Sequence, residues 1–168
     1  MSDEMKTLLA KEAIRDQLYV YCHALDRIDK ELGYTVFAED STVNYGGFFP
    51  KGTGREFIDM CCDAHKKMIS TFHQMTNILI KVNGDKAASE TYMIAACKYP
   101  KEDGSTYTIV ARCRDIDRWE CRNGVWVIVD RVVSGDNTMM LVPDRDFPNY
   151  NMARDRSDHS YTVFNELK

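Results

Sequence analysis

A histidine and an aspartate offer the clearest basis for chemistry in this sequence. His73 stands in the stretch STFHQMTN, where an apolar segment begins, and Asp26 continues the apolar positions of a long amphipathic segment. A carboxylate that binds an imidazole fixes its tautomer and stabilises its protonated form, so such a pair can act as a general base. Spacing alone does not show that the two residues meet. A core histidine with one hydrogen bond, and a solvated aspartate at a helix end, are the alternatives.

Arg131 is a charged residue on a strand face that alternation predicts to be apolar. In VWVIVDRVV its alternate neighbours are all valines, and side chains two apart share one face of a strand. A buried guanidinium must be paired or must bind something, so we expect a carboxylate such as Asp26, or an anionic oxygen, beside it. The alternative is an exposed face along which the long side chain lies.

These residues must be positioned by helices in the first half of the chain. The helical period of the apolar residues predicts a first helix over residues 5–29, with one face formed by Leu8, Ile14, Leu18, Cys22 and Leu25. A shorter helix over 30–38 and a strand over 41–49 are predicted next. Thr53 and Glu56 match the Thr-x-x-Glu capping box, which predicts a third helix from there to residue 69.

The second half of the chain is β-rich. Strands are predicted over residues 72–82, 86–99, 106–120 and 125–133, and the stretches NGD, KEDGS and RNG between them are hairpin turn signals. Helices followed by an antiparallel meander indicate an α+β fold. A curved antiparallel sheet wrapped around the N-terminal helices would form a conical pocket. We assign residues 1–142 to this domain and 143–168 to a C-terminal tail, which is a lid, a subunit contact or a loose end.

Composition excludes several classes of function. The 168 residues carry a net charge of −4 with no basic stripe, so nucleic acid is not an expected partner. Neither a signal peptide nor a membrane-spanning run is seen, which predicts a cytoplasmic protein that does not enter a membrane. The six cysteines lack C-x-x-C and zinc spacing, and GTGREF lacks the phosphate-loop lysine, so we expect neither metal nor organic cofactor.

The order of four segments resembles the SnoaL-like branch of the nuclear-transport-factor-2-like (NTF2-like, cystatin-like) superfamily. These segments are IRDQLYVYCHALDRID, TGREFI, HQMTNILI and DRWECRNGVWVIVDRVV. The resemblance is sharpest to a lyase subgroup of bile-acid 7α-dehydratase, scytalone dehydratase and hexachlorocyclohexane dehydrochlorinase. In that subgroup an aspartate closes the first helix and a histidine opens the strand after the third, matching Asp26 and His73. Arg131 and Tyr21 match residues of the bile-acid enzyme, and Tyr45 matches a pocket tyrosine of scytalone dehydratase.

Two departures narrow what the resemblance implies. The dehydrochlorinase has a lysine near the position of Tyr21, which disfavours its chemistry here. The second pocket histidine of scytalone dehydratase has no counterpart, because the corresponding strand reads IVARCRD. Scytalone itself is therefore a disfavoured substrate.

The resemblance implies a cofactor-independent lyase that eliminates a β leaving group, as a dehydratase does. His73 would be the base and Asp26 its orienting partner, while Arg131 and either Tyr21 or Tyr45 would stabilise charge or donate a proton. The same fold also hosts isomerases, cyclases, formaldehyde lyases and the non-catalytic small subunit of ring-hydroxylating dioxygenases. A small-ligand binder or scaffold subunit therefore remains the alternative.

The expected substrate is an apolar small molecule of steroid-like, polyketide-like or aromatic type. The residues expected to line the pocket are mostly soft and apolar, although a core would explain most of them equally well: Tyr45, Phe48, Phe57, Met75, Asn77, Cys97 and Val110. Related lyases form homotrimers through the open face of the sheet. Alternation places Trp126, Ile128 and Val132 on that outer face, so a homo-oligomer, with a trimer favoured, is expected.

Overall fold

The computed structural model of the protein describes residues 1–142 and 153–166. Its helices are α1 (Asp3–Arg27), α2 (Lys30–Tyr34), α3 (Gly54–His65) and α4 (His159–Asn165). Its strands are β1 (Phe37–Asn44), β2 (Ser70–Asn83), β3 (Lys86–Pro100), β4 (Thr106–Arg122) and β5 (Val125–Leu141). The helices α1 to α3 precede the meander, as the sequence predicts, and the short helix α4 follows it.

The strands form one five-stranded sheet in the order β1-β5-β4-β3-β2. Strands β2 to β5 are an antiparallel meander, while β1 joins the other edge parallel to β5. The helix α1 packs against β2 and β5, and α3 packs against β1. The α+β class and the meander are therefore confirmed, with one parallel strand added at the edge.

The long helix α1 presents its apolar stripe to the sheet. Ile14, Leu18 and Leu25 are buried on this face together with Tyr21. The helix ends at Arg27 and is capped by Ile28, which has a left-handed φ of 55° and whose N–H donates to the carbonyls of the last turn. Asp26 is therefore fixed in the final turn of α1, at the end of the buried stripe.

The elements after α1 differ from their predicted bounds. The second helix stops at Tyr34 instead of 38 because Val36 and Phe37 are buried and lead into β1. The N–H of Ile128 donates to the carbonyl of Val36 at 2.9 Å, which joins this segment to the sheet. The capping box of α3 is present, but α3 ends at His65 instead of 69.

A bulge in β5 reverses the predicted faces of that strand. Trp119 pairs with Ile128 and Arg118 pairs with Asp130, so Val129 has no opposite residue in the β4–β5 register. Side chains before the bulge therefore change sides. Trp126 and Ile128, predicted to point outward, are only 7% and 0% exposed.

A second bulge lies in β2, at Asn77. The pairing with β3 passes from Thr76 to Ile78, and Asn77 has a positive φ of 42°. Asn77, which the sequence analysis places among the pocket residues, lies at this break in the alternation, and its side chain is exposed. Met75, two residues after His73 and before the bulge, lies on the face of His73 and is partly buried against the core.

The C-terminal region docks beside the end of α1. Asp158 forms an ion pair with Arg27 at 3.3 Å, and the rings of His23 and Tyr161 lie 5.1 Å apart. The predicted tail begins at 143, and residues 143–152 and 167–168 lie outside the described residues. A role of the tail as lid or subunit contact stays a prediction. Among the helices of the described ranges, none has the length and apolar character to cross a membrane.

Candidate active site

The structure brings Asp26 and His73 together. His73 Nδ1 lies 2.6 Å from Asp26 Oδ1, and the backbone N–H of His73 donates to Asp26 Oδ2 at 3.0 Å. The two side chains are only 6% and 14% exposed. One carboxylate thus holds both the ring and the backbone of the same residue, and α1 is joined to the start of β2.

This contact sets the tautomer of the imidazole. An ionised carboxylate only accepts hydrogen bonds, so Nδ1 must carry the proton that Asp26 Oδ1 accepts. In the neutral ring Nε2 then has a free lone pair. Nε2 has no hydrogen-bond partner within residues 1–142 and 153–166. The arrangement leaves this nitrogen available to remove a proton.

A second histidine, His65, flanks the pair and was missed by sequence reasoning. Its ring centroid lies 5.3 Å from that of His73, and its Nδ1 contacts the carbonyl oxygen of Leu25 at 3.2 Å. Burial, followed by the charge of His73, lowers the pKa of His65 to about 4. His65 is therefore neutral near pH 7. Its position one helical turn after Cys61, on the buried face of α3, was a usable signal.

Arg131 is buried as predicted, but its partners are different carboxylates. Its Nε and Nη2 donate to Asp117 at 2.6 and 2.8 Å, and Nη1 lies 3.2 Å from Asp115 Oδ2. All three side chains are essentially inaccessible. Asp26, the suggested partner, belongs to the histidine instead. Asp115 and Asp117 alternate in RDIDR, so the signal for two acids on one face was present in the sequence.

The buried ion cluster contains two acids and one base. Asp117 accepts two well-aligned bonds, whereas the contact between Asp115 Oδ2 and Arg131 Nη1 lacks the alignment of a hydrogen bond. Burial raises the pKa of Asp115 to about 6, opposed by Arg131 and reinforced by Asp117. Arg131 is consequently neutralised by its neighbours, which leaves little positive charge to act on a substrate.

Two tyrosines, Tyr21 and Tyr45, lie beside this ion cluster. The hydroxyl groups of Tyr21 and Tyr45 lie 3.0 Å apart, and burial raises the pKa of both above their usual range. The guanidinium of Arg131 lies 4.6 Å from the centroid of the Tyr21 ring. Both phenols therefore stay protonated near pH 7 and can donate a hydrogen bond.

The other predicted pocket residues divide into two groups. Phe57 is buried and stacks on Tyr45 at 4.4 Å, and Cys97 lies opposite Thr71 on the face of the sheet that carries His73. Phe48 is 66% exposed, and strand alternation places Val110 on the opposite face. Phe48, Val110 and Asn77 therefore do not lie in the group around His73.

Opposite pKa shifts predict an unusual pH dependence of stability. The pKa of Asp115 rises from 3.8 to about 6. Between these pH values the folded state keeps a proton that the unfolded state loses, so the contribution of Asp115 to the free energy of unfolding falls as pH rises from about 4 to 6. The pKa of His65 falls from 6.5 to about 4. Between these pH values the unfolded state binds a proton that the folded state does not, so the contribution of His65 to the free energy of unfolding falls as pH drops through that range. The groups that act on Asp115 include Arg131, Asp117, His73 and the thiol of Cys113, which donates to Asp115 Oδ1 at 3.9 Å.

We therefore expect Asp115→Asn to change the slope of stability with pH. Relative to the parent protein, its free energy of unfolding should rise by about 1–3 kcal/mol between pH 4 and 6. Urea unfolding at several pH values measures this difference. His65→Gln should show the opposite trend, gaining relative stability as pH falls. Curves for Asp115→Asn and the parent that run parallel from pH 4 to 6 would contradict the assignment.

Within the described ranges no three side chains of His, Cys, Asp or Glu are grouped to hold a metal ion. The residues that converge on the interior are instead an imidazole, carboxylates, phenols and one guanidinium. Chemically, such a set can remove a proton from carbon and donate hydrogen bonds to an oxygen.

Solved structures share this architecture. A type 3 hexachlorocyclohexane dehydrochlorinase from Novosphingobium barchaimii is 18% identical, with 88% of this chain and 100% of that chain covered and a TM-score of 0.69. A protein from Novosphingobium aromaticivorans, provisionally described as a scytalone dehydratase, is 24% identical, with 79% and 87% covered and a TM-score of 0.69. At such identities the likeness shows the fold alone.

No curated protein matches this chain. The family model described as a SnoaL-like domain matches residues 6–132, well over half of the sequence. The matched range includes most of α1, all of α3 and the meander as far as the middle of β5, and with them Asp26, His73 and Arg131. The chain therefore belongs to the SnoaL-like domain family, on the NTF2-like fold.

Proposed function

We propose that the protein is a cofactor-independent lyase that catalyses a β-elimination of the dehydratase type. The contact that carries this proposal is the 2.6 Å pairing of His73 Nδ1 with Asp26, which leaves Nε2 free. The names of the two similar structures, a dehydrochlorinase and a dehydratase, describe eliminations and support this choice of reaction class.

In the proposed reaction Nε2 of His73 takes a proton from the carbon next to an activating group. The electron pair of that C–H bond forms the new double bond, and the β leaving group departs with its own bonding pair. Departing hydroxide receives a proton from the imidazolium or from Tyr45 and leaves as water. Asp26 stabilises the imidazolium, and the phenols donate hydrogen bonds to the activating carbonyl oxygen.

Arg131 has a different role in this scheme from the one the resemblance implies. Since Asp115 and Asp117 already surround its guanidinium, it acts on the reaction through its neighbours. Its contact with the ring of Tyr21 holds that phenol against Tyr45. We therefore assign Arg131 as a positioning residue for the tyrosine pair.

The substrate class follows from the surroundings of the base. Phe57, Met75 and Cys97 are apolar or weakly polar neighbours of the interior, which suits a ring-shaped molecule of low polarity. Steroid-like, polyketide-like and aromatic compounds with a hydroxyl β to a carbonyl meet this description.

Two probes test the function without knowledge of the natural substrate. The aldol adduct of benzaldehyde and acetone loses water to give a conjugated enone, and nitrobenzisoxazole opens after loss of a carbon-bound proton to give a coloured phenolate. We expect both reactions to be faster with the parent protein than with His73→Ala, followed by absorbance and without added cofactor. If neither probe reacts faster with the parent protein than with His73→Ala, the proposal fails.

We also propose self-association through the outer face of the sheet. Four large side chains are exposed there on neighbouring strands, Phe72, Tyr92, Ile116 and Val132, and the last two are directly paired. An apolar surface of this kind is characteristic of an interface. The occupant that we propose is a second and third copy of this chain.

Analytical ultracentrifugation at micromolar concentration is expected to give a trimer. Ile116→Asp should shift the protein to monomer because it places a charge in the interface, whereas Leu8→Asp, at an exposed position on α1, should not. A monomeric parent protein would refute the proposal.

A further inference from the structure

The C-terminal segment contacts the chain immediately before His73. Arg154 donates from Nη1 to the carbonyl of Met68 at 2.5 Å, and from Nη2 to the carbonyl of His65 at 3.0 Å and to Thr71 Oγ1 at 3.2 Å. Three acceptors along the α3–β2 connection are therefore held by one planar guanidinium. Since Thr71 lies two residues before His73 on the same strand face, this contact fixes the start of β2.

The same segment is anchored on the chain immediately after Asp26. Arg156 binds Asp29 through two bonds of 2.9 and 2.8 Å, and Tyr161 Oη donates to Asp29 at 2.7 Å. Asp29 is buried and caps the N-terminus of α2 by accepting from the N–H of Leu32. This anchor is rigid because a two-point Arg–carboxylate contact restricts both distance and angle.

The two anchors adjoin the two elements that carry the Asp26–His73 pair, since Asp29 follows the end of α1 and the acceptors of Arg154 run from the end of α3 into β2. Arg156 binds Asp29, two residues after the end of α1, and Arg154 binds the connection into β2, so one short segment holds both places. Burial lowers the pKa of Arg154 and the charge of Asp26 opposes that shift, so Arg154 is also within electrostatic reach of the dyad. The segment therefore links the region after α1 to the start of β2, and the 2.6 Å contact between Asp26 and His73 joins the same two parts of the chain.

We propose that Arg154 is a positioning residue that holds His73 at hydrogen-bonding distance from Asp26. This inference deepens the proposed function, on which its catalytic meaning rests. A short contact between groups on separate elements is sensitive to small displacements, and misplacement by about 1 Å can cost a catalytic group about a hundredfold in rate. The guanidinium opposes such displacement through three bonds to one side of the gap, and Arg156 secures the other.

The dyad hydrogen bond can be observed without substrate by NMR of protein labelled with ¹⁵N-histidine. The parent protein should show the proton on Nδ1 of His73 at low field. The absence of this signal in His73→Ala assigns it, and its position should change in Asp26→Asn. In Arg154→Ala we expect that signal to move upfield or be lost through exchange with water. Arg154→Lys should restore part of it, since an ammonium keeps the charge and can still donate to carbonyls but lacks the planar fork.

Arg118→Ala is the matched control, because Arg118 is exposed and paired with Asp130 on the outer side of the sheet. It should leave the His73 signal unchanged. If Arg154→Ala does not fold, Thr71→Val removes one of the three acceptors and should shift the signal in the same direction by a smaller amount. The proposal is overturned if Arg154→Ala folds and its His73 proton signal stays at the parental position. If only Thr71→Val folds, an unchanged His73 signal in that variant overturns it.

Turnover of the two probes separates this inference from the proposed function. We expect Arg154→Ala to lower kcat by about ten- to a hundredfold with little change in KM, as misalignment of a base would do. If the NMR signal responds but the parent protein turns over neither probe, the proposed function fails and the positioning role stands. Turnover of both probes with no NMR response in Arg154→Ala would leave the function intact and remove the role of Arg154.

Discussion

Replacement of His73 by alanine is expected to lower kcat/KM for both elimination probes by about a hundred- to ten-thousandfold, because the variant lacks the base that removes the proton. Asp26→Asn should produce a loss on the same scale. An amide can donate to Nδ1 and stabilise the tautomer that protonates Nε2, so the base would lose its free lone pair. Progress curves under identical conditions measure both losses.

His159→Ala is the matched control for this substitution. His159 is exposed at the start of α4, so its removal should change neither turnover nor folding. Near-UV circular dichroism should show that His73→Ala and Asp26→Asn keep the parental fold. Full activity in a folded His73→Ala variant would remove this residue from the mechanism.

The second large effect concerns stability. Arg131→Met is expected to lower the free energy of unfolding by about 3–5 kcal/mol, because it leaves Asp115 and Asp117 buried without their cation. An arginine that faced the apolar wall without a partner would give the opposite result, because methionine would remove an unpaired buried charge. The two carboxylates reverse that expectation. Urea unfolding at pH 7 measures the change.

Neutralising the acids in the methionine background should recover part of this loss. Asp115→Asn and Asp117→Asn combined with Arg131→Met remove the unpaired charges, although buried amides still need hydrogen-bond partners. Arg118→Met serves as control, because this exposed arginine forms a surface ion pair and its loss should cost no more than about 1 kcal/mol. An Arg131→Met variant as stable as the parent protein would contradict the ion cluster.

The positions of Asp26 near the end of α1 and of His73 near the start of β2 could be predicted from the sequence, because the patterns that mark the ends of helices and strands are local. The helical period of α1 reaches Leu25 and stops near Asp26, and the capping box of Thr53 and Glu56 places the start of α3. The β-rich segment beginning near Ser70 then puts His73 at the start of a strand. Contact between the pair came from the family resemblance, since no local pattern encodes a meeting of distant residues.

The faces of strands were less predictable, because a bulge leaves no local signal in a run of valines. Val129 is one of four valines at alternate positions, and nothing in its neighbours distinguishes it as the residue that lacks a partner. The inward direction of Arg131 was still correct, since it lies after the bulge. Trp126 and Ile128 lie before it and were placed on the wrong side.

Long-range polar contacts were the least predictable part of the site. Asp115 and Asp117 could be recognised as two acids on one face of β4, but their pairing with Arg131 requires the register between β4 and β5. Arg154 stands in a polar tail whose composition suggests no docking site. Its contacts depend on how the chain returns to α1 and the α3–β2 connection.

The most direct test of the account is a double-mutant cycle on probe turnover with Asp26→Asn, His73→Ala and the two combined. If Asp26 acts only by orienting His73, its substitution should have little further effect once the base is gone. We therefore predict that the double variant has nearly the same kcat/KM as His73→Ala. Losses that multiply, so that the double variant is slower by the product of the two single effects, would contradict a His73–Asp26 pair acting as one base.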